Sequence, residues 1–233
     1  MPNDKSPAEV QLLDEIQQFL HAAVHDLRAA QRRIAIAAEL LLNSPPDQER
    51  GELTTQILQG LSKAEELLTG IGSYATALAP RQGIAVFPSS RAVRFALANL
   101  DLKIREAGAV IRVADLPEIA GDRDQLAELF ERLIDNSLKF RGPEPPVIAI
   151  GAASVPEGWL FSVSDNGVGI PPKYRDRIFI PFRRLHGAEV PGAGLGLAIS
   201  RKIVEAHAGR IWLESREGPG ATVSFILPAA NGD

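Results

Sequence analysis

Two long stripes of apolar residues, each repeating with heptad spacing, constrain this chain more than any other feature. The first steps by four and three through Ile16, Leu20, Ala23, Leu27, Ala30, Ile34, Ala37 and Leu41. The second runs through Ile57, Leu61, Ala64, Leu68, Ile71, Ala75 and Leu78. A stripe of that period keeps one side of a helix against a neighbour, so both stretches read as long helices. "SPAE" (Ser6 to Glu9) opens the first as a capping box with proline at the first helical position, and "NSPPD" (Asn43 to Asp47) ends it. Two such helices joined by a short turn make an antiparallel hairpin. A lone hairpin has little core of its own. Pairing with a second copy, as a four-helix bundle in a homodimer, is therefore expected ahead of packing against the rest of the chain.

The pattern changes at "APRQG" (Ala79 to Gly83). Residues 90 to 107 read as a helix ending at Gly108, and "AVIRV" (Ala109 to Val113) as a strand. Asp122 is placed to cap a helix that runs to about Phe140. "VIAIGAA" and "WLFSVSD" alternate apolar with small or polar residues and read as adjacent antiparallel strands. A helix over 194 to 208 follows, then the hairpin "RIWLESREGPGATVSFILP" with "EGPG" as its turn. Helices mixed with antiparallel strands predict an α+β two-layer sandwich. The expected division is 1–80 for the all-α hairpin and 81–233 for the sandwich.

Composition narrows the function classes. Apolar residues form 45% of the 233, enough for a real core. The chain has no cysteine, which removes disulfides and thiolate metal sites. A formal charge of −4 argues against general nucleic-acid binding, which needs a basic face. No apolar run reaches the length of a membrane span, and the N-terminus lacks a signal-peptide core, so a cytoplasmic location is expected.

Glycine clusters mark the chemistry. "DNGVGIPP" (Asp165 to Pro172) directly follows a strand, and "GAGLGLAI" (Gly192 to Ile199) opens a helix. Glycine lets backbone approach a ligand closely, and a helix N-terminus offers free N–H groups to phosphate. Neither cluster is a Rossmann fingerprint or a Walker loop: no βαβ repeat surrounds them and no Gly-Lys-Ser/Thr is present. "LIDNSLKF" (Leu133 to Phe140) adds Asn136 and Lys139, three apart on one helical face. Asn supplies a neutral oxygen suited to Mg²⁺, and Lys a point charge for phosphate. In the first helix, His25 sits at heptad position f, far from the seam, with Asp26 at g. From the residues alone three readings stay open for His25: a solvated surface histidine, a metal pair with His21 four residues away, or a reactive group.

Taken in order, these stretches closely resemble a sensor histidine kinase. "HDLRAA" (His25 to Ala30) resembles the H box, "LIDNSLKF" the N box, "DNGVGI" the G1 box, "IFIPF" (Ile178 to Phe182) the F box and "GAGLGLAI" the G2 box. The wording is most similar to the bacteriophytochrome-like group. The resemblance spans residues 10 to 228. It implies a dimerising phosphotransfer hairpin followed by an ATP-binding domain of the Bergerat type, shared with gyrase, Hsp90 and MutL. On that resemblance Asp165 accepts from the adenine amino group, and Gly167 and Gly169 let the chain pass close to the base. Asn136 holds Mg²⁺, with Lys139 near the phosphates. Residues 183 to 191 form a short mobile lid, hinged by Gly192, Gly194 and Gly196, which also line the phosphate site. His25 is the phosphate acceptor and Asp26 its orienting carboxylate. His186 reads as a surface residue of the lid and His207 as structural. The implied partners are a second copy, a response-regulator receiver domain whose aspartate takes the phosphoryl group, and an upstream sensor domain or protein, none being visible in this chain.

Three departures from the family pattern carry expectations. Ala30 replaces the proline that ends the H box, so this helix should run straighter below His25. Ala29, four after the histidine, cannot position a water, so phosphatase activity toward the regulator should be weak or absent. Arg132 stands four before Asn136, where these kinases carry Asn and gyrase-like ATPases a catalytic Glu. That counts against a plain ATPase and allows for slow autophosphorylation. The alternative to a kinase is a non-enzymatic histidine phosphotransfer protein with a degenerate ATP domain.

Overall fold

The structure, a computed structural model, describes residues 6–43, 46–79, 83–175, 177–183, 192–214 and 219–229. The side chains of the capping box at Pro7 to Glu9, the lid with His186, and part of both the "NSPPD" and "EGPG" turns lie outside the described residues. The chain forms two compact units, Met1–Gly72 and Ser73–Asp233.

The first unit is the helical hairpin: α1 (Pro7–Leu42) and α2 (Asp47–Leu78), the last turns of α2 going with the second unit. Its buried line runs through Ala23, Ala30 and Ala37 on α1 and Leu53, Gly60 and Leu67 on α2, each set spaced by heptads. Small residues let the two backbones approach closely. At Gly60 an added Cβ would lie 2.6 Å from Ile34 Cγ1 and 3.6 Å from the Ala30 carbonyl oxygen. The expected seams divide here. Leu20, Leu61 and Leu68 are 50%, 51% and 58% exposed in the single chain. A bundle helix carries an apolar stripe wider than one neighbour can cover. The hairpin buries one part of it and leaves the leucine-rich part open.

The second unit starts with the ribbon β1 (Ala85–Pro88), whose partner is β3 (Glu118–Gly121). Between them come α3 (Ser90–Asn99), α4 (Asp101–Glu106) and β2 (Val110–Val113). The single helix expected over 90 to 107 is thus two, broken at Leu100, which is buried at the junction. Gly108 ends the second with a positive φ of 61°. The ribbon was not among the expected elements; its two strands pair across a long intervening stretch of chain that no local pattern links. After α5 (Arg123–Lys139) the chain forms β4 (Val147–Val155), β5 (Gly158–Asp165), α6 (Gly196–Ala206), β6 (Arg210–Leu213) and β7 (Thr222–Leu227).

Five strands make one mixed sheet in the order β2-β4-β5-β7-β6, with β2 parallel to β4 and the other neighbours antiparallel. Helices α3, α5 and α6 pack together, and α5 and α6 lie on the sheet, giving the two-layer sandwich. Its centre is an aromatic triplet. Phe130 of α5 meets Phe161 and Phe225 edge-on at centroid distances of 5.9 and 5.7 Å, and those two stack at 5.1 Å. All three are fully buried, and such pairs add to what burial alone contributes.

The start of α5 is set by two contacts. Asp122 caps it, accepting from Asp124 N at 3.0 Å and Gln125 N at 3.2 Å. His207, 3% exposed at the end of α6, accepts from Asp122 N at 3.0 Å through Nε2 and donates from Nδ1 to Ile203 O at 2.7 Å. Gly121 makes room for the ring: a Cβ there would meet His207 Cδ2 at 2.9 Å. His207 is therefore a structural tie, as read from the sequence, and needs its neutral form with the proton on Nδ1. His207→Leu should lower the free energy of unfolding by about 2 kcal/mol or more, because it orphans a buried N–H. Urea titration followed by tryptophan fluorescence measures this.

Candidate functional site

In the second unit the site is assembled at the carboxyl end of β5, against α5 and the N-terminus of α6. Asp165, the last residue of β5, is held from three directions. Its Oδ1 accepts from Gly167 N at 2.9 Å and Ala221 N at 3.1 Å, and its Oδ2 accepts from Ser137 Oγ at 3.1 Å. The carboxylate is thus pinned while keeping lone-pair capacity to spare. The loop that follows is pressed onto its neighbours. A Cβ at Gly167 would stand 2.3 Å from the Phe140 carbonyl oxygen, and Gly169 has φ 74°. Gly220 N donates to Gly167 O at 2.7 Å, and a Cβ on Gly220 would meet Asp165 O at 2.0 Å. Larger residues are excluded at Gly167 and Gly220 by backbone, which cannot yield.

Asn136 faces the opening turn of α6. A Cβ at Gly196 would sit 3.4 Å from both amide atoms of Asn136. No side chain among the described residues caps α6, which leaves its first N–H groups as candidate donors to an anion. Gly192 and Gly194 lead into it with φ 144° and 73°. Phe182 N donates to Gly194 O at 2.9 Å, tying "IFIPF" to the glycine run, while Ile178 and Phe179 bury themselves with Leu213. The donor set fits a nucleotide with Mg²⁺. A neutral amide oxygen lies beside the first turn of α6, and the glycines of the loop after β5 admit close approach.

Lys139 and Arg132 are both engaged by carboxylates of their own helix. Lys139 Nζ pairs with Asp135 Oδ2 at 2.5 Å, and Lys103 Nζ of α4 pairs with Asp135 Oδ1 at 2.7 Å. Arg132 folds back on Glu128 Oε1, at 3.0 Å through Nε and 2.6 Å through a terminal nitrogen, an internal pair within α5. In the first unit, His25 is 81% exposed and its Nδ1 lies 3.0 Å from Asp26 Oδ1. Among the described residues no cluster of His and acidic groups has metal-ligand form, and no helix is long and apolar enough to cross a membrane. The reading of the sequence did not reach Ser137, Ala221, Gly220, Lys103 or the bridging role of Asp135. Their partners lie 28 to 56 residues away for Ser137 and Ala221, a separation that no local pattern reports.

The Asp135 bridge has a pH signature. Burial works against its charge, yet the hydrogen bonds and charges of Lys103 and Lys139 outweigh it and hold the carboxyl below the usual aspartate range. A depressed folded value stabilises the native state above the unfolded pKa, and that contribution is lost as pH falls through the folded one. Asp135→Asn should therefore flatten the fall in stability between roughly pH 5 and pH 2, measured as unfolding midpoints across that range.

Residues 121–231 match the model of the histidine kinase-, DNA gyrase B- and HSP90-like ATPase. Cyanobacterial phytochrome A of Nostoc is 40% identical over 92% of this chain and 28% of its own length. Phytochrome-like protein Cph1 of Synechocystis is 36% identical over 93% of this chain and 30% of its own. The chain thus spans less than a third of the length of these relatives. The histidine kinase ThkA, solved in complex with the response regulator TrrA, has the same fold: TM-score 0.69 at 22% identity, over 94% of this chain and 64% of that one. With the hairpin and the sandwich in place, these matches support the reading of the chain as a sensor histidine kinase catalytic core, with residues 121–231 an ATPase-type domain of the gyrase and HSP90 kind.

Proposed function

We propose that this chain is an ATP-dependent protein-histidine kinase of a two-component system. It phosphorylates its own His25 and passes the phosphoryl group to an aspartate of a response-regulator receiver domain. The observation that carries the reading is the His25–Asp26 pair: a ring exposed to visitors, with one nitrogen already engaged by a carboxylate.

In this reading Asp165 accepts a hydrogen bond from the adenine amino group through the capacity left on its carboxylate, and Gly167 and Gly169 give the base its close approach. The phosphates meet the uncapped N–H groups of α6, reached past Gly192, Gly194 and Gly196. Asn136 holds Mg²⁺, which when bound offsets charge on the phosphate oxygens. Lys139 reaches the phosphates when it exchanges Asp135 for them, and Lys103 remains to balance Asp135. Asp26 accepts a hydrogen bond from His25 Nδ1–H and so keeps that tautomer, which leaves the Nε2 lone pair free. Nε2 attacks the γ-phosphorus in line, the N–P bond forms as the bond to the β-phosphate oxygen breaks, and ADP departs. The positive charge on the ring is shared with Asp26 through Nδ1–H. Transfer onward needs the same exposure, since the regulator's aspartate must reach the same nitrogen. The signal comes from an upstream sensor domain or protein.

The open leucine stripe supports a homodimer. Leu20, Leu61 and Leu68 would be covered by a second hairpin, completing a four-helix bundle. Two outcomes test these readings. Incubation with γ-labelled ATP and Mg²⁺ should give an acid-labile, alkali-stable label that His25→Ala abolishes; an acid-stable label would overturn the reading. Replacing Leu61 and Leu68 together by Glu should convert a dimer to a monomer in sedimentation velocity, while ADP binding persists.

A further inference from the structure

A second feature of the sandwich lies at the margin of its sheet. β6 pairs with β7 and with no other described strand. Glu214 N donates to Thr222 O at 2.8 Å, which makes 214 and 222 a hydrogen-bonded pair. Such pairs alternate along an antiparallel ladder, so Trp212↔Ser224 and Arg210↔Ile226 are bonded as well, and Ile211 and Leu213 occupy the intervening positions. The N–H and C=O groups of Ile211 and Leu213 therefore point away from β7, and no loop or turn backbone among the described residues takes them. An open edge of this kind is a template for another strand.

The edge is not bare surface. A cavity of about 430 Å³ touches every residue from Gly209 to Leu213. Side chains alternate between the faces of a strand, so a cavity touching consecutive residues runs along the edge and not over one face. Its other wall is Arg175, Phe179, Arg201 and Glu205. The charge there is positive. Glu205 already accepts from Arg201 Nε at 2.6 Å and Lys202 Nζ at 2.9 Å. Arg210 lies over the Trp212 ring at 5.4 Å and reaches Glu157 only at 3.5 Å, with both side chains exposed. Arg175 Nε is buried with no hydrogen-bond partner among the described residues. A buried guanidinium N–H with no acceptor among the described residues is a candidate donor to an incoming carboxylate.

We propose that this groove binds an extended, acidic segment of a partner protein, which adds to β6 as a further strand and sets carboxylates on Arg175 and Arg210. The main chain of Ile211 and Leu213 supplies the ladder bonds, and the arginines select the charge. The chain's net charge of −4 repels acidic peptides in general, so the selection is local to the groove. The site is separate from the nucleotide pocket in its residues, and saturating ATP should leave it unchanged.

The test is calorimetric titration of the whole chain with a short end-blocked peptide alternating valine and aspartate, and with its lysine counterpart. Saturable binding of the acidic peptide alone is expected, unaffected by ATP. Arg175→Gln should weaken it about tenfold or more. Ile211→Pro removes an N–H that faces the open edge and spares the β7 ladder; it should weaken binding to the same extent. N-methylating the peptide's backbone amides tests strand addition without altering the protein, and should abolish binding. No saturable binding at millimolar peptide would overturn the proposal. Binding that survives both Ile211→Pro and N-methylation but is lost in Arg175→Gln would also overturn it, in favour of a simple anion site.

Discussion

The Asp165 carboxylate is the constraint on which the nucleotide-type site depends. It ends β5 and receives hydrogen bonds from Ser137 on α5, Gly167 in its own loop and Ala221 just ahead of β7. One side chain thereby fixes the helical layer, the glycine loop and the next strand in a single geometry. Two acceptor oxygens can do this because a carboxylate offers about four lone-pair directions in one plane. A neutral amide of the same size could keep the two backbone N–H contacts only by turning its NH2 to the Ser137 hydroxyl, which would then have to accept, and it would lose the spare acceptor capacity of the carboxylate.

Around that carboxylate, glycine acts by absence. Gly167 and Gly220 lie where a methyl group would strike carbonyl oxygens at 2.3 and 2.0 Å. Interiors are close-packed and backbone cannot step aside for a side chain. The loop is therefore held at contact distance with the end of α5 and the approach to β7. The start of α6 and the Asn136 amide, which meet at Gly196, are held by helices instead.

The hairpin follows a different logic. Small residues at Ala30 and Gly60 bring α1 and α2 together, and larger leucines at 20, 61 and 68 are left outside. A helix that must serve two neighbours divides its apolar residues between them. His25 lies on neither apolar line, which is why a titratable, reactive ring can stay exposed beside Asp26 without disturbing the core.

Much of this was legible in the linear chain because it is local. Heptad spacing set the hairpin, Asp122 set the start of α5, and alternation set β4 and β5. Gly196 of the second glycine cluster packs against Asn136. The helix at 90 to 107 and the β1–β3 ribbon were misread or missed, since Leu100 breaks the helix to bury itself and the ribbon pairs segments far apart in the chain. The amino acids alone determined most of the element types and the exposed histidine with its neighbouring carboxylate. Only the tertiary structure decided which half of each apolar stripe is covered and that Ser137 and Ala221 hold Asp165. It also decided that Asp135 shares two lysines and that the β6 edge opens onto arginines. Those outcomes are contacts between residues far apart in the chain, and packing, not sequence neighbourhood, selects them.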